Sequence, residues 1–301
     1  YLGLGRLALL QNPPDLNEAQ VLAEKSINLN PALFEGYYEL AHVALLNNDP
    51  ALAIYRLGSL NGLVPESSLA DYYYAWAYLE QGDAARALTT IQQANALDST
   101  SLPVYLLWGQ ILQANGDYRG SLQPISIYLT YVPADKVGTW TLANAYFHLE
   151  QYDVAVTTLT ALLNLQPENV DALSLRAESY MKLQDYVKAQ EDFTAVLAVD
   201  SNSYTANLGR GRALLANNSA GSALMQFKRM ASLAETDAQK AELNYYSAMA
   251  NLSLGQLPAA MQNFQIFLAY PAEIEDPNMR ADAEAQYQLL LTPTPTVTPE
   301  T

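Results

Sequence analysis

The sequence repeats itself every 34 residues, and this period restricts the chain to architectures built from short, similar segments. A small residue recurs at that spacing, namely Ala19, Ala53, Ala87, Ser121, Ala155, Ala189 and Ala223, and Ala260 follows after 37 residues. A second small series keeps the same phase, namely Ala41, Ala75, Gly109, Ala143, Ala177, Gly211 and Ala248. So does a series of large apolar residues, namely Leu57, Ile91, Ile125, Leu159, Phe193, Phe227 and Phe264. A fixed period of this length is typical of helix–turn–helix arrays in which each segment packs on its neighbours.

The stretch 78–99 shows how one such segment is built. It reads as the end of a helix, a turn at Gly82-Asp83 and a second helix that carries Ala87. Small residues let two antiparallel helices approach closely, and the large apolar residue fills the space between neighbouring segments. Proline cannot continue a helix, so a closing series ends the second helix of each segment: Pro31, Pro65, Ser99, Pro133, Pro167 and Ser201. For the same reason Pro124, inside a predicted second helix, is expected to bend or shorten it.

Because the four series agree in phase, residues 1 to about 274 resemble the tetratricopeptide repeat family. The resemblance implies an all-α fold, a right-handed α-solenoid or superhelix of about eight helix–turn–helix repeats. After the last repeat, Asp276-Pro277 is typical of a helix start and predicts a capping helix over residues 277–291. Its residues Met279, Ala283, Tyr287 and Leu290 lie at helical spacing and should cover the last repeat. We therefore predict one solenoid domain over residues 1–291 and a disordered Thr/Pro-rich linker over residues 292–301.

The composition excludes several kinds of site. The chain has no cysteine and a net charge of −16. The absence of cysteine excludes disulfides, thiolate metal sites and a cysteine nucleophile. The acidic charge argues against nucleic acid and anionic lipid surfaces as partners. No apolar run approaches the roughly 20 residues needed to span a bilayer, so we expect no direct membrane insertion by this segment.

A search for chemistry finds little that points to an enzyme. His42 and His148 have no carboxylate or cysteine at metal-ligand spacing. The glycines of Gly3-Leu4-Gly5 and Gly209-Arg210-Gly211 lie in helical patterns and do not follow strands, so they do not match a phosphate-binding loop. The acidic pair Glu191-Asp192 is interpreted as part of a solvated helix face. We predict that the protein is not an enzyme and has no catalytic residues, no cofactor and no metal ion.

The resemblance places a concave groove along the first helix of each repeat, at three positions around its small residue. The candidate partner-binding residues are Tyr38, His42, Tyr72, Trp76, Gln110, Trp140, Asn144, Phe147, Glu178, Arg212 and Tyr245. Chaperone-binding members of the family clamp a terminal carboxylate here, but Trp140 stands where that clamp would need lysine, so we expect no such clamp. The alternative is that large side chains at these positions pack between adjacent first helices.

The sequence thus predicts a non-enzymatic interaction scaffold that binds a peptide or protein segment in an aromatic and apolar groove. Two alternatives stay open: a cell-surface accessory protein that handles carbohydrate or cell-envelope assembly, and an architectural spacer. Sugar binding would need polar groups beside the aromatic rings, and Gln110, Gln113 and Asn144 are only a hint of them. The identity of the partner and the oligomeric state stay open as well.

The location is predicted from the end of the sequence. The Thr-Pro pattern after Leu291 resembles the stalks that hold bacterial surface domains away from a membrane. With no cysteine and few lysines, we expect an extracytoplasmic domain tethered near the cell surface; the alternative is a cytoplasmic protein. No signal peptide is visible, but the sequence opens at Tyr1 inside a helical pattern, so an upstream signal or anchor could have been removed.

Overall fold

The computed structural model describes residues 1–59, 66–272 and 276–292, and within them every regular element is a helix. The first nine helices are α1 (Leu2–Leu9), α2 (Leu16–Leu29), α3 (Phe34–Leu46), α4 (Pro50–Gly58), α5 (Ser68–Glu80), α6 (Ala84–Leu97), α7 (Leu102–Ala114), α8 (Tyr118–Tyr131) and α9 (Lys136–His148). They are followed by α10 (Tyr152–Leu165), α11 (Val170–Lys182), α12 (Tyr186–Val199), α13 (Tyr204–Ala216), α14 (Ala220–Met230), α15 (Asp237–Ser253), α16 (Leu257–Leu268) and α17 (Pro277–Leu291), with a short 3₁₀ turn at Ala231–Leu233. None of the helices in these ranges is long and apolar enough to cross a bilayer.

Two expectations concern residues beyond those described. Pro65 of the closing series lies in the gap between Ser59 and Glu66. The predicted linker lies outside the described residues from position 293 onward. The location near the cell surface was inferred from that linker and stays a prediction.

The chain divides into two compact halves, with the boundary between Glu150 and Gln151. In the first half each helix packs against the next along the chain, and α1, α3, α5, α7 and α9 also contact one another in that order. In the second half each helix from α10 to α17 packs against the next, and α11, α13 and α15 contact one another in order. Each half is therefore a stack of helical hairpins whose odd-numbered helices form one layer, and the predicted all-α class is confirmed.

The repeating residues form the core, as the sequence predicts. Every member of the large apolar series is at most 2% exposed, from Leu57 to Phe264. The small residues beside them are buried as well, and Ala53, Ala87 and Ser121 have no exposed surface. A methyl group added to Gly211 would overlap the ring of Phe227. The two helices of that hairpin thus approach as closely as a glycine permits, which explains why only small residues occur in this series.

The turns from the α3–α4 connection to the α15–α16 connection share one backbone conformation, which the turn between α1 and α2 lacks. The residue at the centre of each of these turns has a positive φ whether or not it is glycine: Asn48 (58°), Gly82 (77°), Gly116 (79°), Glu150 (60°), Gln184 (60°), Asn218 (56°) and Gly255 (68°). The next residue often caps the second helix, since the carboxylates of Asp49, Asp83, Asp117 and Asp185 accept a hydrogen bond from a first-turn amide. Glycine adopts the left-handed conformation freely, whereas other residues are destabilised in it by about 1–2 kcal/mol.

A Gln184→Gly substitution is therefore expected to stabilise the protein by about 0.5–1 kcal/mol. Glycine removes the left-handed strain, and part of that gain is lost because glycine also makes the unfolded chain more flexible. Urea unfolding of the two proteins measures the difference. The reverse change at the equivalent turn, Gly116→Gln, is the matched control and should lower stability by a similar amount. A Gln184→Gly protein that unfolds at a lower urea concentration than its parent contradicts the explanation.

Of the two effects predicted for Pro124, shortening of its helix does not occur, and bending stays a prediction. Helix α8 has 14 residues, and so have α6, α10 and α12, which contain no internal proline. Pro124 is buried, and α8 packs against both α7 and α9. In proteins most helical stability comes from tertiary packing, so contact on two sides outweighs the one backbone hydrogen bond that proline removes.

The expectation of a solvated Glu191-Asp192 pair is wrong for Asp192. Glu191 is exposed, but Asp192 is only 5% exposed. The Arg176 guanidinium donates two hydrogen bonds to the Asp192 carboxylate, from Nε and from Nη2, each 2.7 Å long. Arg176 Nη1 also donates to the Thr160 hydroxyl at 3.0 Å. This bidentate pair joins α11 and α12 inside one hairpin and extends to α10 of the preceding one.

Helix α17 covers the last hairpin of the second half. Its Met279, Tyr287 and Leu290 pack against a buried cluster that contains Phe264 and Phe267. Ala283, from the middle of α17, is fully buried in the same cluster. The side chains that the sequence assigned to this contact therefore make it.

Candidate functional site

The predicted groove residues of α3 and α5 belong to a continuous group of aromatic rings. We call this group the aromatic patch, and its members are Phe34, Tyr38, His42, Tyr72, Tyr73 and Trp76. The ring centroid of His42 lies 5.5 Å from that of Tyr73 and 5.9 Å from that of Trp76. Phe34 and Tyr38 extend the patch along α3, with centroids 5.8 Å apart. Tyr72 extends it on α5, 6.3 Å from Trp76. The patch thus joins two neighbouring helices of the layer in which the groove is predicted.

The patch has a buried base and a partly exposed surface. Tyr38 is 3% exposed and its hydroxyl lies 2.6 Å from the Ser67 hydroxyl, so it is a core residue and does not face the groove as predicted. His42, Tyr72, Tyr73 and Trp76 are half-buried. Trp76 packs against buried clusters on both sides of α5, and its Nε1 donates to Glu80 Oε1 at 3.1 Å. Trp76 therefore both packs between adjacent odd-numbered helices and keeps part of its surface accessible.

Burial controls the ionisation of the patch. It raises the pKa of Tyr72 to about 12, and it also raises the pKa of Tyr73, on which the charge of Glu39 acts in the same direction. Burial lowers the pKa of His42, against a smaller opposing effect of Glu39, so the imidazole is neutral at pH 7. Neither the Tyr72 nor the Tyr73 hydroxyl has a hydrogen-bond partner within the described ranges. The patch therefore offers neutral hydroxyl donors and brings no positive charge of its own.

Carboxylates surround the patch. Glu39 is 8% exposed and forms an ion pair with Arg6. The charges of Glu35 and Asp71 raise the pKa of Tyr38, after the larger effect of burial. Burial also raises the pKa of the Asp71 carboxyl, and Glu35 Oε2 is buried without a hydrogen-bond partner in the part of the chain described. With Arg6 already paired to Glu39, the surroundings of the patch are negative.

Polar side chains link α7 to α9 in the same layer of the first half. Asn144 Nδ2 donates to Gln113 Oε1 at 2.9 Å, and Gln113 Nε2 donates to the Thr141 carbonyl at 2.7 Å. The other candidates on these helices, Gln110, Trp140 and Phe147, are half-buried. Asn144 is therefore tied to the neighbouring helix, whereas Trp140 keeps part of its surface accessible.

The candidates in the second half are engaged with neighbouring helices. Arg212 Nη1 of α13 lies 3.2 Å from Glu178 Oε1 of α11. The Tyr245 hydroxyl of α15 donates to Asp282 Oδ2 of α17 at 2.8 Å, and its ring centroid lies 5.5 Å from that of Phe267. Glu178 and Arg212 therefore connect two adjacent first helices, and Tyr245 contacts the second helix of its own hairpin and the helix α17.

Several residues that complete the aromatic patch are not among the candidates predicted from the sequence. Phe34, Tyr73 and the surrounding carboxylates lie outside the three stripe positions of each first helix. Adjacent residues on a helix are about 100° apart, so a narrow stripe omits the flank of the helix that a neighbour also contacts. The run Tyr72-Tyr73-Tyr74 was the available signal, because consecutive tyrosines place a ring on that flank.

Comparison with known sequences agrees with this architecture. The profile of the tetratricopeptide repeat family matches residues 38–101, 141–189 and 175–238. DnaJ homolog subfamily C member 3 of Gallus gallus is 24% identical to this chain in an alignment of 189 residues, and the match covers 58% of the chain and 38% of that protein. The chain thus spans well under half the length of this curated relative.

Solved structures show the same fold at low identity. The C-terminal part of a TPR repeat-containing protein from Cytophaga hutchinsonii matches with a TM-score of 0.63 at 18% identity, covering 82% of this chain and 98% of that one. A tetratricopeptide repeat protein from Parabacteroides merdae matches with a TM-score of 0.57 at 14% identity, covering 86% of this chain and 99% of that one. The hairpin stacks, the buried 34-residue series and the matched family profile lead to one conclusion: the chain belongs to the tetratricopeptide repeat family.

Proposed function

We propose that the protein is a scaffold that docks a segment of a protein partner on the odd-numbered helices of its first half. The docking surface is the exposed part of the aromatic patch, without the buried Tyr38, together with Trp140 of α9. The family fold generally serves protein interaction, and aromatic residues are enriched among the residues that contribute most binding energy. Large rings also bury much area at a low cost in conformational entropy.

The observation that carries the proposal is the state of the two tyrosine hydroxyls in the patch. Tyr72 and Tyr73 are half-buried, yet their hydroxyls donate to no acceptor among the described residues. Neither oxygen is among the buried polar atoms that lack a partner, so both hydroxyls reach water and can exchange it for an acceptor on a bound segment. The backbone carbonyls of a docked segment would satisfy these donors while its side chains cover the rings.

The Trp140→Ala variant tests whether the Trp140 ring binds the partner or only packs between adjacent helices. We expect it to weaken binding of a docked peptide by about 2 kcal/mol or more, the range of strong interface residues, with little loss of stability. Peptides selected from a displayed random library on the parent protein serve as probes. Their affinity is measured by fluorescence anisotropy, and the melting curve of each variant is recorded alongside.

The matched control is Tyr55→Ala, which removes a 70% exposed aromatic ring from the even-numbered helix α4. It should change neither affinity nor stability. If Trp140 is instead wedged between helices, its removal costs about 3–5 kcal/mol of folding stability. A loss of that size, with affinity unchanged in the folded fraction, would show that the ring is core and would refute the proposal for α9.

A further inference from the structure

The surroundings of the aromatic patch carry more negative than positive charge. Glu35, Glu39, Asp71 and Glu80 lie around its rings, and Arg6 is paired with Glu39. His42 adds no compensating charge at neutral pH, because burial keeps its imidazole neutral. The aromatic patch therefore lies in negatively charged surroundings.

Two of these carboxylates form no ion pair with a lysine or arginine within the described ranges, although Glu35 also interacts with the charge of Arg6 from a longer distance. Glu35 Oε2 is buried and accepts no hydrogen bond there. Asp71 is half-buried, and its carboxylate makes no ion pair with any described lysine or arginine. A carboxylate held partly out of water without a positive partner is unfavourable, so a cation that reaches it would be bound favourably.

We infer that the segment docked on the aromatic patch is basic, with an arginine or lysine side chain lying over the rings and its charged end within reach of Glu35, Asp71 or Glu80. The inference rests on the proposed function and adds the chemistry of the partner to it. A cation over the face of tyrosine or tryptophan is attracted by the ring quadrupole, and a carboxylate beside the ring adds a charge-assisted hydrogen bond. The net charge of −16 draws basic segments toward the protein and repels acidic ones.

The test compares the peptides selected on the parent protein with the unselected library. We expect enrichment of arginine and lysine, and we expect each selected peptide to lose about tenfold or more in affinity when those residues are replaced by glutamine. The affinity should also fall as the salt concentration rises, because the attraction is electrostatic.

A protein variant tests the carboxylates directly. The double substitution Glu35→Gln with Glu80→Gln keeps side-chain size and retains an oxygen that can accept from Trp76 Nε1. It should weaken the selected peptides by about tenfold. The control, Glu18→Gln with Glu150→Gln, removes the same number of charges from exposed sites in the same half and should leave affinity unchanged. Gln184 occupies the turn position equivalent to Glu150 with the same φ of 60°, so this control is compatible with the fold.

The outcomes separate the two proposals. If neutral peptides lose affinity for the Trp76→Ala or Trp140→Ala variant but bind the Glu35→Gln, Glu80→Gln variant as tightly as the parent, the inference of a basic partner is wrong. The proposed docking surface would still be supported. Acidic peptides with the same dependence would overturn the inference of a basic partner as well. Selected peptides whose affinity is unaffected by Trp76→Ala and Trp140→Ala would refute both.

Discussion

Unfolding of an Asp192→Ala variant is expected to require about 3–5 kcal/mol less free energy than unfolding of the parent protein. The substitution removes the partner of Arg176 from the interior of the hairpin formed by α11 and α12. The guanidinium would lose both of its 2.7 Å hydrogen bonds to the carboxylate and keep the 3.0 Å bond to Thr160. A charge held out of water with most of its partners gone is strongly destabilising. Urea unfolding, followed by circular dichroism, measures the loss.

Two further variants distinguish this explanation from a general loss of charge. Lys188→Ala breaks the exposed pair between Lys188 of α12 and the N-cap residue Asp185, and it should cost less than about 1 kcal/mol. The double variant Arg176→Met with Asp192→Leu replaces the whole ion pair by apolar groups and should recover most of the lost stability. An Asp192→Ala protein as stable as its parent, or a double variant less stable than the single one, would contradict the assignment.

Deletion of residues 277–291 is expected to lower the stability of the second half by roughly 5 kcal/mol and to cause self-association. The helix covers Phe264 and Phe267 with Met279, Tyr287 and Leu290, and the deletion exposes that apolar surface to water. Arg280 also donates from its guanidinium to the Leu268 and Tyr270 carbonyls at 3.2 Å, so the deletion removes donors from the end of α16. An uncovered end of a repeat stack can pair with another copy.

The melting curve and light scattering coupled to size exclusion measure the two effects. A chain that lacks only residues 293–301 is the control and should melt and elute as the parent does. Ala283→Arg is a second test that keeps the chain length, because it places a charged side chain at a fully buried position and should displace the helix. A monomeric deletion variant with an unchanged melting temperature would refute the capping role.

The architecture was predictable because its signals are local and repeated. Ala53, Ala87 and Ser121 lie where the two helices of a hairpin are in close contact, and a small residue recurs there every 34 residues. Gly82 and Asp83 mark a turn whose positive φ recurs at the equivalent positions, and whose aspartate cap recurs at several of them. The turn in one clear repeat therefore predicts the turns at the equivalent positions of other repeats, including those at Glu150 and Gln184, which lack glycine.

The candidate site was predictable only in part, because its chemistry depends on contacts between repeats that differ from one another. The stripe positions include His42, Tyr72 and Trp76, whose rings are neighbours in the structure, and their role in partner binding stays a prediction. The stripe positions also include Tyr38, which is buried and bonded to Ser67, and they omit Tyr73, which contacts His42. The spacing of residues on one helix predicts on which side of that helix each residue lies. It does not predict which of those residues the neighbouring helix covers.

The sequence alone therefore established the period, the helical hairpins, the buried small and large series and the helix that covers the last repeat. These features follow from side-chain size and turn geometry at fixed positions of the repeat, and the same residue types recur at those positions along the chain. The tertiary arrangement decided which polar groups meet, such as Arg176 with Asp192 and Asn144 with Gln113, and which rings share one surface. These pairs join residues 16 to 31 positions apart, and their residue types are not repeated along the array. The contact of Arg176 has a counterpart one repeat later, but there the Arg210 guanidinium donates to the Gln226 amide oxygen, so the repeat period alone does not predict the ion pair. Its formation depends on rotamers and on the packing of neighbouring helices, which exist only in the folded chain.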